Sequence, residues 1–100
     1  MPDKNYTIDE IRALVTPIAQ KYGVERVYLF GSYARGEASE NSDIDLRIDK
    51  GSLRGMFALC RLYTEIKDAL ERNVDVLTTG SLEDTFLHKI REEEVLLYAQ

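Results

Sequence analysis

Apolar residues recur every three or four positions in two long stretches of the chain and alternate with polar residues in shorter ones. The first helical pattern opens at Thr7-Ile8-Asp9-Glu10, a capping box in which threonine and glutamate side chains satisfy free backbone donors. The pattern ends at Gly23, the predicted helix stop, and Pro17 lies inside it as a predicted kink. The buried side of this helix is predicted to carry Ile8, Ile11, Leu14, Val15, Ile18 and Tyr22.

A second helical pattern runs from Leu53 to Arg72 and predicts a long amphipathic helix. Further along the chain, Ser81 is predicted to cap a shorter helix that carries Phe86 and Ile90. The long helix is predicted to bury a stripe made of Leu53, Met56, Phe57, Cys60, Tyr63, Ile66 and Leu70.

Four shorter segments are predicted to be strands, because they are rich in β-branched and aromatic residues or alternate polar with apolar positions. Helix and strand segments in this order predict an α+β fold of two layers, with a small mixed sheet and helices packed mainly on one face. A chain of 100 residues has room for one core, so residues 1–100 are expected to form a single domain. The predicted strands are Val24 to Phe30, residues 43–48, residues 74–77 and residues 94–98.

Composition narrows the class of protein without choosing a function. The 44% apolar and 31% charged residues are typical of a globular protein, and the single cysteine, Cys60, excludes an intramolecular disulfide. No apolar run approaches the roughly 18 residues of a membrane span. A net charge of −5 disfavours nonspecific binding to nucleic acid. We therefore expect a cytoplasmic protein with no membrane partner and no stable nucleic-acid binding.

Three aspartates are placed where they can bind divalent cations. Asp43 and Asp45 lie two positions apart on a predicted strand, so both side chains point to one face, with Cα atoms about 6.6 Å apart. Asp75 stands between Val74 and Val76, and a strand that buries those valines directs it to the opposite face. If that face is open, the three carboxylates converge. Carboxylates so placed can flank two cations of the kind that assist nucleotidyl transfer.

A phosphate-binding turn is predicted just before the first aspartates. Gly31 and Ser32 follow a strand, where glycine lets the backbone approach a phosphate and the serine adds a hydroxyl donor. Arg35 lies three residues on, at the spacing that places it beside Ser32 in a helical turn, and its guanidinium can bind phosphate oxygens. Taken singly, these features are more often an ordinary turn and a solvated strand face. Their joint occurrence favours a nucleotide site.

The segments Gly31-Ser32-Tyr33-Ala34-Arg35-Gly36, Ser42-Asp43-Ile44-Asp45-Leu46 and Val74-Asp75-Val76 resemble the signature of the polymerase-β-like nucleotidyltransferase superfamily, specifically its prokaryotic minimal nucleotidyltransferase family. The resemblance implies that Gly31 and Ser32 bind the triphosphate of ATP, and that Asp43, Asp45 and Asp75 bind two catalytic Mg²⁺ ions. Two positions depart from the family pattern. Arg47 stands where the family commonly has an apolar residue, and Glu94 stands where it often has glycine before the final strand.

The resemblance also implies a partner. Family members commonly pair with a small helical toxin of the higher eukaryotes and prokaryotes nucleotide-binding (HEPN) type, a ribonuclease, and act as its antitoxin by adenylylating a tyrosine. We therefore expect that the protein can form a homo-oligomer or a hetero-oligomer with such a partner. Two alternatives stay open: a non-catalytic antitoxin that neutralises its partner by contact, and a small-molecule nucleotidyltransferase, although such relatives usually carry a second domain for the acceptor.

Overall fold

The computed structural model describes residues 6–39 and 41–100, and it arranges them as a four-stranded sheet with helices. Its elements agree in type and order with the sequence prediction. They are α1 (Ile8–Tyr22), β1 (Arg26–Phe30), α2 (Ser32–Arg35), β2 (Ile44–Asp49), α3 (Met56–Leu70), β3 (Val74–Thr78), a 3-10 turn (Thr79–Ser81), α4 (Asp84–Arg91) and β4 (Val95–Ala99).

The predicted ends of α1 are confirmed. The Thr7 backbone N–H donates to the Glu10 carboxylate at 2.8 Å, and the Glu10 N–H donates back to the Thr7 hydroxyl at 3.0 Å. The helix continues through Pro17 as one element and ends at Gly23, whose φ of 71° favours glycine. Both ends of this helix are therefore fixed by local sequence.

The strands lie in the order β3-β2-β1-β4. β1 pairs antiparallel with β2 and with β4, whereas β2 pairs parallel with β3. The sheet is therefore mixed, as predicted. The end of β1 meets the start of β2, and the start of β3 lies beside the start of β2, so three strands bring one terminus each to the same edge.

The main core lies between the sheet and the layer formed by α1 and α3, which pack against each other. Alternate residues of the two central strands are fully buried against these helices, which is the pattern of a strand with one face on a core. The core-facing strand residues are Val27, Leu29, Ile44, Leu46 and Ile48.

The predicted apolar stripe of α3 is confirmed at Leu53, Ile66 and Leu70, which are buried, but it is wrong at the four exposed positions Met56, Phe57, Cys60 and Tyr63. Met56 is 70% exposed and Phe57 86% exposed, and Cys60 is exposed as well. The helix begins at Met56 rather than near Leu53, after Gly55 with a φ of 83°. This part of the chain carries two overlapping apolar stripes, and only one of them can face the sheet. The buried stripe consists of Leu62, Ile66 and Leu70.

Ser81 does not cap α4. It ends the 3-10 turn and donates its hydroxyl to the Thr78 carbonyl at 2.8 Å, while α4 begins at Asp84. Asp43 immediately precedes β2 rather than belonging to it. Across the described ranges, 6–39 and 41–100, no helix has the length and apolar character needed to cross a bilayer.

Candidate active site

Two of the predicted site aspartates are direct neighbours across the sheet. Asp45 of β2 stands in register with Asp75 of the parallel strand β3, and with Phe30 of the antiparallel strand β1. Asp43 lies one residue before β2, exposed and close enough for its charge to act on Asp45. The fold therefore gathers the acidic residues of two sequence segments at one sheet edge.

Gly31 brings the backbone against this acidic edge. Its φ of 79° and ψ of −155° are a conformation that residues with a side chain rarely adopt. A Cβ atom added at Gly31 would overlap the Asp45 Oδ2 atom. The backbone conformation therefore requires glycine here, and any side chain at this position would also have to displace the Asp45 carboxylate.

A cavity of about 390 Å³ lies beside Gly31 and is lined by all three predicted nucleotide-binding residues. Four of the predicted site residues line it together, which only the fold could establish. Asp43 and Asp75 are not part of its lining. The lining residues are Phe30, Gly31, Ser32, Arg35, Asp45, Phe86, Lys89, Ile90 and Glu93.

The acidic pair is electrostatically unfavourable. Burial, together with the charge of Asp75, a hydrogen bond with that side chain and the charge of Asp43, raises the pKa of Asp45 to about 6. The positive charge of Arg35 opposes this shift only in part. A carboxylate held against other carboxylates resists ionisation, and a bound cation reverses that effect. The arrangement is thus a site with excess negative charge.

The acidic residues do not form a closed metal cage. Among the residues that the structure describes, no three His, Cys, Asp or Glu side chains are grouped so as to hold an ion. Mg²⁺, however, commonly binds through one or two protein carboxylates and takes its remaining ligands from water and substrate phosphates. The hard oxygen donors of Asp45 and Asp75 fit that mode of binding.

Comparisons with known proteins identify the family of this chain. Residues 14–100 match the family described as Polymerase beta, Nucleotidyltransferase. The chain belongs to this family. It is 41% identical over 88 residues to a Methanocaldococcus jannaschii protein named "Putative protein adenylyltransferase MJ0435", an alignment that covers 88% of this chain and 95% of that protein.

Solved structures share the fold of this nucleotidyltransferase. A chain in the crystal structure of a toxin-antitoxin with AMP-PNP superposes with a TM-score of 0.76 at 22% identity, over 89% of this chain and 73% of the other. A chain from the complex of tri-AMPylated Shewanella oneidensis HEPN toxin with MNT antitoxin superposes with a TM-score of 0.71 at 18% identity, over 93% and 73%. The family match makes the protein a nucleotidyltransferase enzyme. The solved structures confirm the α+β fold predicted from its sequence.

Four residues of α4 and the segment after it line the cavity of this nucleotidyltransferase without having been predicted to do so: Phe86, Lys89, Ile90 and Glu93. Phe86 packs edge-on against Phe30, with ring centroids 6.3 Å apart. The sequence gives a lysine and a glutamate near a helix end no distinctive signal, because such residues usually face solvent. Only the docking of α4 beside Gly31 brings them to the site.

The two departures from the family pattern contact each other. Arg47 is 2% exposed, and its guanidinium donates to both Glu94 carboxylate oxygens at 2.7 and 2.6 Å. It also donates to the Thr79 hydroxyl at 2.8 Å and lies over the Tyr28 ring at 4.1 Å. A buried charge needs such a partner, and Glu94 supplies it for the Arg47 guanidinium. The pair covers the middle of the sheet face that carries Asp45.

Tyr33 of the nucleotidyltransferase signature is part of the core rather than of the cavity. It is 4% exposed and packs within the main hydrophobic cluster. Its buried hydroxyl has no hydrogen-bond partner among residues 6–39 and 41–100. Tyr33 therefore fixes α2 beneath Ser32 and Arg35 and is not placed to stack on a nucleobase.

Proposed function

We propose that this nucleotidyltransferase transfers AMP from ATP to a tyrosine hydroxyl of a small helical HEPN-type toxin and thereby acts as its antitoxin. One observation supports the nucleotide part of this proposal above all. Gly31, Ser32, Arg35 and Asp45 line a single cavity, so phosphate donors and a carboxylate face the same space. The names of the M. jannaschii relative and of the S. oneidensis complex support the protein acceptor.

The Gly31 turn and Arg35 supply the triphosphate contacts. The Gly31 N–H and the Ser32 hydroxyl are donors at the mouth of the turn, and the Arg35 guanidinium offers a planar fork to phosphate oxygens. We assign the β and γ phosphates to these donors. We place the α-phosphorus on the side of the Asp45 carboxylate, which lines the same cavity.

Asp43, Asp45 and Asp75 are the proposed ligands of two Mg²⁺ ions, since they supply hard oxygen donors and a local excess of negative charge. When bound, Mg²⁺ supplies charge neutralisation on the triphosphate and on the attacking and leaving oxygens. The chain's own task is to hold these carboxylates in place. The register between Asp45 and Asp75 does so through the hydrogen bonds of two adjacent strands.

The reaction forms one bond and breaks one. The acceptor oxygen bonds to the α-phosphorus, the bond from that phosphorus to the bridging oxygen breaks, and pyrophosphate leaves. The acceptor proton passes to a carboxylate, for which exposed Asp75 is the proposed group. A domain of this size has little chain to build an acceptor pocket, so a docked partner would position the tyrosine.

Coexpression with a small helical HEPN-type protein, sought in the reading frame beside the gene, tests this proposal. Mass spectrometry should find AMP on a toxin tyrosine in the wild-type complex and none with Asp43→Asn and Asp45→Asn combined. Glu92→Gln is the matched control, because Glu92 is exposed and lies beside exposed His88, with 3.8 Å between the His88 Nε2 and Glu92 Oε2 atoms. An unmodified toxin in the wild-type complex, supplied with Mg²⁺ and ATP, would contradict the proposed acceptor.

The same experiment separates the alternatives. A toxin fully inhibited by the double variant without modification would indicate neutralisation by contact. Transfer of AMP to a small molecule but not to the toxin would indicate a small-molecule nucleotidyltransferase.

A further inference from the structure

A glutamate occupies the donors assigned to the triphosphate. The Glu93 carboxylate accepts a hydrogen bond from the Gly31 backbone N–H at 2.8 Å. The same carboxylate accepts from one Arg35 guanidinium nitrogen at 3.2 Å and 3.1 Å. An anion therefore already lies in the phosphate cradle, which we define as the Gly31 N–H, the Ser32 hydroxyl and the Arg35 guanidinium.

The backbone on either side of this carboxylate is held firmly. The Glu93 and Glu94 N–H groups both donate to the Ile90 carbonyl, at 3.1 and 2.9 Å. The Glu94 side chain is tied to buried Arg47 by the ion pair described above. Glu93 is thus presented to the cradle by fixed neighbours, while its own side chain is 26% exposed and therefore in contact with solvent.

A phosphate and the Glu93 carboxylate cannot share these donors. Both are anions that need the same N–H groups, and two anions in hydrogen-bonding range of one another repel. The Gly31 N–H is a single donor, and the bond it gives Glu93 has an ordinary, well-formed length. Binding of a phosphate at the cradle therefore requires that the carboxylate leave.

We propose that Glu93 occupies the β/γ-phosphate position of the cradle until a nucleoside triphosphate displaces it, and that it returns when pyrophosphate leaves. This inference rests on the proposed function of the cradle. The exchange weakens binding of any ligand that places a phosphate on Gly31 and Arg35. It leaves unchanged the binding of ligands without a phosphate there, and it keeps the cradle satisfied and ordered in the free enzyme.

Calorimetry with Mg²⁺ and two probes tests the exchange. AMP-PNP fills the cradle, whereas AMP lacks the β and γ phosphates. Glu93→Gln keeps the size of the side chain but removes its charge, so AMP-PNP should bind about tenfold more tightly to this variant, equivalent to about 1.4 kcal/mol. AMP should bind with an affinity within about twofold of wild type, because it does not need the exchange.

Glu92→Gln is the matched control, since it removes one charge from the adjacent residue without touching the cradle, and both probes should bind it as they bind wild type.

In amide NMR spectra, Glu93→Ala should shift the Gly31 N–H resonance of the free protein. This shift reports the Glu93 contact independently of any affinity measurement. Equal or weaker AMP-PNP binding by Glu93→Gln, with wild type binding normally, would overturn the exchange alone. Absence of AMP-PNP binding by wild type and variant alike would overturn the proposed function and the exchange with it.

Discussion

The two ends of β2 carry acidic residues on the same sheet face but in opposite electrostatic states. Asp45 at one end lies against Asp75, and its pKa is raised to about 6. At the other end, burial alone would raise the pKa of Asp49, but hydrogen bonds from Thr79 and Arg26 and the charge of Arg47 outweigh it and lower the pKa.

This difference separates a structural polar cluster from the cluster that we propose to be the active site. Around Asp49, each carboxylate is matched by arginine or hydroxyl donors, as a partly buried charge requires. Around Asp45, the excess negative charge opposes folding of the apoprotein. A bound cation, alone or carried by a phosphate group, would neutralise this charge. The same strand thus carries one carboxylate whose charge is compensated, Asp49, and one whose charge is not, Asp45, four residues apart.

The largest effect on stability is expected from removing the Arg47–Glu94 ion pair, which lies next to Asp49 at the compensated end of β2. Arg47→Ala leaves Glu94, 11% exposed, as a buried and unpaired carboxylate, and should lower the free energy of unfolding by about 3 to 5 kcal/mol. Urea denaturation measures this loss. Replacing Arg47 and Glu94 together by methionine should cost clearly less than Arg47→Ala. If the double methionine variant lost as much stability as the two single methionine variants added together, the two charges would not be coupled.

A smaller effect of opposite sign is expected at the acidic end. Because the folded pKa of Asp45, about 6, lies above the ordinary value of 3.8, the folded state binds the proton more tightly. Asp45 therefore makes the apoprotein less stable as pH rises from about 4 to about 6, and the penalty is complete above that range. Asp45→Asn should raise the free energy of unfolding by about 2 kcal/mol at pH 8, after a discount for solvent exposure, and should change little at pH 4.

The matched substitution is Asp49→Asn, on the same face of the same strand. Since the folded pKa of Asp49 is lowered, its charge stabilises the protein at neutral pH, and this variant should be destabilised at pH 8. The two asparagine variants should thus shift stability in opposite directions. A shift of the same sign in both would contradict the comparison.

Ligand binding should produce the smallest of these shifts. Mg²⁺ with AMP-PNP binds only the folded state, so a ligand concentration about five times its Kd should add about 1 kcal/mol of stability to wild type. Differential scanning fluorimetry follows this as a rise in Tm. Asp43→Ala should abolish most of the rise, whereas Glu92→Gln should preserve it. A full rise in Asp43→Ala would mean that Asp43 is not a ligand.

The sequence predicted the elements and the polar signature because these depend on local patterns. The capping box at Thr7, the alternation through β2 and the glycine at position 31 each carry their own signal. The buried stripe of α3 was predicted incorrectly because Met56, Phe57 and Cys60 share the helical spacing of a buried stripe, and local spacing cannot say which stripe meets the sheet.

The remaining features depend on contacts between residues far apart in the chain. The Arg47–Glu94 pair joins residues 47 positions apart, and the Glu93 contact with Gly31 spans 62. Neither follows from periodicity, since each requires the position of α4 and β4 relative to the first two strands. The elements of the site could be predicted, whereas the residue that occupies its phosphate cradle could not.

The most direct test of this account is a comparison of AMP transfer by Asp45→Asn and Asp49→Asn, the two ends of β2. When it is incubated with toxin, Mg²⁺ and ATP labelled at the α-phosphate, the wild-type enzyme should transfer the label to the toxin. Asp45→Asn should reduce the transfer rate on the order of 1,000-fold, as expected when a group that binds a catalytic ion is lost. Asp49→Asn, measured at a temperature where it remains folded, should stay within about threefold of wild type. Equal transfer rates in the two variants would contradict the assignment of the acidic end of β2 as the active site.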